Sequence, residues 1–154
     1  MRSTVALFAL IVSAPSPMLG QRLEGAWKPV EVVVDSGPNR GRHTTDVQPG
    51  LLIFTKRHYS MTFVQGFKAR PLPSDSATNE QLGLLFVPFT ANAGTYRHTG
   101  STITFSPTVA KNPAVMAGKP FSVVARVRGD TLWATPTTVG AGAKTTWVRV
   151  ERPY

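Results

Sequence analysis

The segment RLEGAWKPVEVVV, residues 22 to 34, decides how the rest of the chain is read. It places a glycine, a tryptophan and a proline within five residues and then runs into apolar, β-branched sequence. Such sequence suits a strand, because branched side chains pack well on a pleated surface. A first long strand entered through Gly25 and Trp27 sets a large, flat side chain with one polar edge at the start of the folded region.

The 21 residues before this segment have another character. One basic residue in MRST is followed by the ten-residue run VALFALIVSA, apolar but for Ser13, and then by the helix-breaking PSPMLGQ. This order of basic, apolar and small or polar segments is that of a secretory leader, with Ala14, Gly20 or Gln21 as its last residue. The apolar run is shorter than the roughly 20 residues a membrane span requires. Residues 1–21 are therefore expected to be a signal peptide and residues 22–154 a single domain, exported to a periplasmic or extracellular space.

The chain has no cysteine, so an exported form has no disulfide framework and its core alone must hold the fold. Without Arg2, 16 basic residues stand against 8 acidic ones, a net charge of +8. Such a balance favours anionic surfaces in general. The basic residues do not cluster, however: RGR (40–42), KR (56–57) and RVR (126–128) fall in loops or alternate along a strand. A solvated basic surface with weak attraction to anionic envelope polymers follows, and no nucleic-acid motif is present.

Period-two patterning runs through the remainder. GLLIFT (50–55) and HYSMTFVQ (58–65) read as a hairpin, with Tyr59, Met61 and Phe63 on one face. GTYRHTGSTITFSP (94–107) reads as two strands turning at Thr99-Gly100, with Ile103 and Phe105 together. FSVVARVRGDTLWATP (121–136) is a hairpin about Gly129-Asp130, with Phe121, Val123, Ala125 and Val127 on one side. KTTWVRVE supplies a last strand. Between residues 68 and 92 the pattern turns helical: Ser76 or Thr78 can cap a short helix, and Pro88 ends it. About eight antiparallel strands in sequential hairpins with one short helix imply an all-β fold, either an up-and-down barrel that leaves no free edge or an open sandwich.

GAWKPVEVV resembles the Gly-x-Trp signature of the lipocalins, and the chain is similar to the short bacterial lipocalin-like domain proteins. PGLLIFTKRHYSMTF resembles that family's second and third strands, ANAGTYRHTGSTITF its segment after the helical insertion, and KTTWVRVERP its closing strand. The resemblance implies a barrel closed at one end by Gly25 and Trp27, with Trp27 beneath a basic side chain of the last strand, Arg149 or alternatively Arg152.

For function, the inward faces collect Tyr59, Met61, Phe63, Tyr96, Phe105 and Phe121, an aromatic and methionine wall suited to a small hydrophobic or amphipathic ligand. The same residues can equally fill the barrel as core. An enzyme of the cyclase or isomerase type would rely on Tyr96 and His98, which share strand parity, yet no acid is placed to orient His98. The three histidines have no metal-ligand spacing, and no nucleophile elbow or phosphate loop occurs. The expectation is a monomeric, non-catalytic binding protein without metal or cofactor, its mouth partly covered by the 68–92 insertion.

Overall fold

The computed structural model describes residues 23–138 and 142–153, so the leader expected over residues 1–21 lies outside the described residues. Among the described residues nine strands follow one another in sequence order: β1 (Gly25–Val34), β2 (His43–Thr44), β3 (Gly50–Phe54), β4 (His58–Val64), β5 (Phe89–Thr99), β6 (Thr102–Ala110), β7 (Phe121–Arg128), β8 (Thr131–Pro136) and β9 (Ala143–Glu151). Every pairing is antiparallel, and β3 to β8 each pair with the next strand along the chain.

Closure comes from β1, whose first residues pair with β3 (Trp27↔Leu52) while its whole length pairs with β9, from Ala26↔Glu151 to Val34↔Ala143. The eight long strands thus form a closed barrel, the architecture that satisfies every sheet edge. An open sandwich is not formed. The ninth strand, β2, is a two-residue flap on the far half of β1 (Val32↔Thr44, Val33↔His43) that sequence patterning did not suggest.

Three bulges tune the faces. Val30 in β1, Thr108 in β6 and Val150 in β9 are each an extra residue against the partner strand. An extra residue shifts the period-two alternation by one. Val30 thereby lets Val32 and Val34 join Trp27 and Pro29 on the inner side, and it leaves Glu31 pointing outward.

Gly25 has a physical reason to be glycine. Its φ is +118°, and a Cβ there would stand 2.3 Å from the Glu151 carbonyl oxygen of the closing strand. The close passage of β9 over β1 admits no side chain at this point.

Among the described residues, two helices lie outside the barrel wall. α1 (Asn79–Phe86) falls within the expected insertion, and its cap is Thr78, whose Oγ1 accepts from the Gln81 N–H while the Gln81 side chain accepts from the Thr78 N–H. α2 (Pro113–Ala117) is a second short helix where only one is expected from sequence, capped by Asn112 with proline at its first position.

Candidate functional site

The barrel is packed at one end and hollow at the other. At the packed end, Trp27 and Leu23 have no exposed surface, and the indole Nε1–H donates to the Leu23 carbonyl at 2.7 Å. The Arg149 guanidinium lies 4.0 Å from the Trp27 ring centre, its Nε–H donates to Asp130 at 3.1 Å, and its Nη1 donates to the Glu24 carbonyl. Arg152, the alternative partner, instead binds both Asp130 carboxylate oxygens at 2.7 and 2.6 Å. Burial pulls the Arg149 guanidinium below its usual basicity, and Asp130 opposes that shift. Two cations on the Gly129-Asp130 turn thus tie the β7–β8 hairpin across the closing strand.

Above this plug an aromatic column rises. Phe54 meets Tyr96 edge-on at 5.0 Å, Tyr59 meets Phe105 edge-on at 4.7 Å, and Phe105 stacks on Phe121 at 5.0 Å with 20° between ring planes. Edge-on and offset pairs of this kind add to plain burial through the ring quadrupoles.

The column passes from solid core into open space. A cavity of about 620 Å³ occupies the other half of the barrel, within the roughly 300–1,000 Å³ typical of small-molecule sites. Its floor is formed by Leu52, Met61, Phe105, Val123, Ala134 and Trp147, one or more inward residues from β3, β4, β6, β7, β8 and β9. Higher up, Val32, Val34, Phe63, Phe121 and Pro136 continue the apolar wall. The polar groups of the lining are neutral amides and hydroxyls, among them Asn39, Gln48, Gln65, Ser122 and Thr145. No ionisable side chain is among the described lining residues.

Of the six wall residues expected from sequence, Met61, Phe63, Phe105 and Phe121 line this cavity. Tyr59 and Tyr96 do not. Tyr59 pairs with Phe54 and Gly94, two and four residues nearer the closed end than Met61 and Phe63. Its hydroxyl donates to Asn92 Oδ1 at 2.7 Å, and burial pushes its phenol up to about 12. Tyr96 donates to the Thr55 carbonyl at 2.8 Å, and its phenol is also raised, by burial first and by the Glu24 charge second. Both tyrosines are satisfied core residues beneath the floor. His98 shares the β5 face with Tyr96 but lies outside the cavity lining.

Trp147, which is not among the wall residues expected from sequence, lies two residues from Arg149 and shares its inward face. The mouth also differs from expectation. No lining residue falls between 68 and 104, so the insertion bearing α1 stands beside the mouth instead of covering it. The rim comes from Ser36, Asn39, Val47 and Gln48, which flank β2, and from Gln65 to Phe67. Arg42 closes these two loops together, its guanidinium 3.6 Å from the centre of the Phe67 ring.

The β2 flap has its own fastening. Glu31 Oε1 meets His43 Nε2 at 2.8 Å, and Glu31 Oε2 accepts from the Thr146 hydroxyl at 2.6 Å. Those two bonds, Thr146 first, hold the Glu31 carboxyl below its usual value. Among the described residues there is no cluster of metal-ligating side chains, and no helix is long and apolar enough to cross a membrane.

Consecutive antiparallel strands, closure of the last strand on the first, and an indole plug beneath an arginine coincide in the described residues. The fold is a closed, eight-stranded, antiparallel up-and-down barrel. No family model matches the chain, and no curated protein matches it. Among solved structures it is similar to a lipocalin-like protein from Bacteroides uniformis ATCC 8492, at 12% identity and a TM-score of 0.48 over 83% of this chain and 98% of that one.

Proposed function

We propose that this lipocalin-like barrel is an exported, monomeric, non-catalytic binding protein that holds one small, uncharged, largely apolar molecule in the open half of the barrel. The observation that carries the proposal is the cavity itself: about 620 Å³, floored by aromatic, aliphatic and thioether side chains, with neutral polar groups towards the rim. Such a lining rewards apolar area and leaves a charged ligand group without a counter-charge. Met61, at the floor, can adapt its unbranched side chain to an irregular shape. The neutral lining also favours retention over chemistry, since general acid–base catalysis needs a titratable group within hydrogen-bond reach of the reacting atoms.

Native mass spectrometry of the gently purified protein, before and after organic extraction, tests this reading. A bound mass of a few hundred daltons lost on extraction is the expected result. A bare protein that also fails to take up any member of a panel of neutral apolar compounds would overturn it.

A further inference from the structure

We propose that the face formed by α1 and the start of the β6–α2 connection docks on the surface of an anionic lipid bilayer, beside the cavity mouth. Among the described residues, seven of the twelve exposed large apolar side chains fall between Leu72 and Met116, and α1 has no buried residue at all. Leu84, Phe86 and Val87 at its C-terminal end are 67%, 61% and 74% exposed. Leu85 alone of its apolar side chains is half-buried, and Leu84, Phe86 and Val87 have no intramolecular reason to be this apolar.

The cations around this apolar tip select the partner. α1 has no basic residue in its own last turn, and its final carbonyls are reached from two sides instead. Arg70 Nη1 donates to the Leu85 carbonyl at 3.4 Å, and Lys111 Nζ donates to the Phe86 carbonyl and, at 2.9 Å, to that of Phe89. The same hydrogen bonds tie Lys111, in the connection between β6 and α2, to the helix end, and Val109 on β6 and Met116 on α2 are exposed as well. Lys68 and Lys119 are also exposed in these segments, while the acids Asp75 and Glu80 lie at or before the N-terminal end of α1. Apolar tips backed by ammonium and guanidinium groups are the arrangement that seats a helix at a headgroup boundary, and the charge of +9 on the full chain adds attraction.

Docking here would also orient the cavity. A smaller hollow of about 390 Å³ between the insertion and the barrel shares Gln48 and Val64 with the large cavity and includes Leu72 and Leu85. The docked face therefore lies next to the rim, where an apolar molecule could pass between bilayer and barrel. The docking itself is independent of whether the cavity is occupied.

The chain has no cysteine, so a single introduced one can carry an environment-sensitive fluorophore. Val87→Cys so labelled should shift to the blue with mixed phosphatidylglycerol–phosphatidylcholine vesicles and not with phosphatidylcholine alone. The same label at Leu51→Cys, on the outside of β3, should stay unchanged. In vesicle co-sedimentation, Leu84→Ser with Val87→Ser should weaken binding at least tenfold without altering the circular dichroism spectrum. Lys68→Gln with Lys119→Gln should weaken it and flatten its salt dependence. Absence of wild-type binding to the mixed vesicles would overturn the proposal, as would unchanged binding of Leu84→Ser/Val87→Ser. Vesicle-free self-association abolished by those two substitutions would assign the face to a second copy of the chain and equally overturn it.

Discussion

The guanidinium of Arg149 lies over the Trp27 indole, on the strand that closes the barrel against the strand that opens it. The two residues are register partners, so the stack, the Asp130 ion pair and the Glu24 carbonyl contact all act at the seam. Arg149→Ala removes a cation–π contact of about 0.5–2 kcal/mol and charge-assisted hydrogen bonds of about 1.5–3 kcal/mol each. These terms are not additive, and a loss of roughly 3 kcal/mol in urea unfolding is expected. Arg149→Lys should recover only part of it, because an ammonium lacks the planar fork. An Arg149→Ala midpoint equal to that of the wild type would show that the seam is held elsewhere.

Gly25→Ala should be far more damaging than Gly37→Ala. Both glycines have positive φ, but a Cβ at Gly37 meets nothing within 4 Å, whereas one at Gly25 strikes the Glu151 carbonyl. Positive φ alone costs an alanine about 1–2 kcal/mol, and at Gly25 the closing strand must also move. Thermal unfolding of the two variants gives the comparison, and equal losses would contradict the close-approach explanation.

Tyr59 should titrate late. With its phenol at about 12, the folded protein keeps this proton while the unfolded chain releases it near 10. The unfolded state then binds fewer protons, so stability falls as pH rises from about 10 towards 12. Tyr96 shifts in the same direction and adds to the slope. Tyr59→Phe should flatten the decline, and it should cost about 1–3 kcal/mol at neutral pH by removing the donor to buried Asn92. Urea unfolding against pH measures both effects. A decline of the same steepness in Tyr59→Phe would place the coupled proton elsewhere.

The β2 flap should loosen in acid. Glu31 is held below its ordinary value in the fold, so its contribution is complete above the unfolded carboxyl's pKa, ordinarily 4.5, and is lost as pH falls through the lowered folded value. Hydrogen exchange at Val32–Val34 and His43–Thr44 should therefore be faster in Glu31→Gln than in the wild type at neutral pH, with the difference shrinking in acid. A difference that persists at low pH would mean that the carboxylate does not fasten the flap.

Several of these features were legible in the residues and others were not, for identifiable reasons. Alternation in HYSMTFV and FSVVARV places Met61, Phe63, Phe121 and Val123 inside correctly, because each strand is regular over that stretch. Period two says in or out, however, and nothing about height along the barrel. Tyr59 and Phe63 share a face, yet four residues at roughly 3.3 Å each separate them, enough to divide packed floor from open cavity. Tyr96 stands on β5, no residue of which is among the described cavity lining. The Val30 bulge, which turns Val32 and Val34 inward, is invisible in a run of valines. The rim depends on Arg42 reaching Phe67, a pairing across 25 positions that no local pattern encodes.

The most direct measurement of the central claim, an occupiable apolar cavity in the barrel, fills that cavity from within. Ala134 faces it from β8, and Ala134→Trp should occupy the floor between Val123 and Trp147. Titration with N-phenyl-1-naphthylamine, a neutral apolar fluorophore, should show saturable binding to the wild type and at least tenfold weaker binding to the variant, with the barrel's circular dichroism retained. Equal binding by both proteins, or saturable binding by neither, would contradict the account.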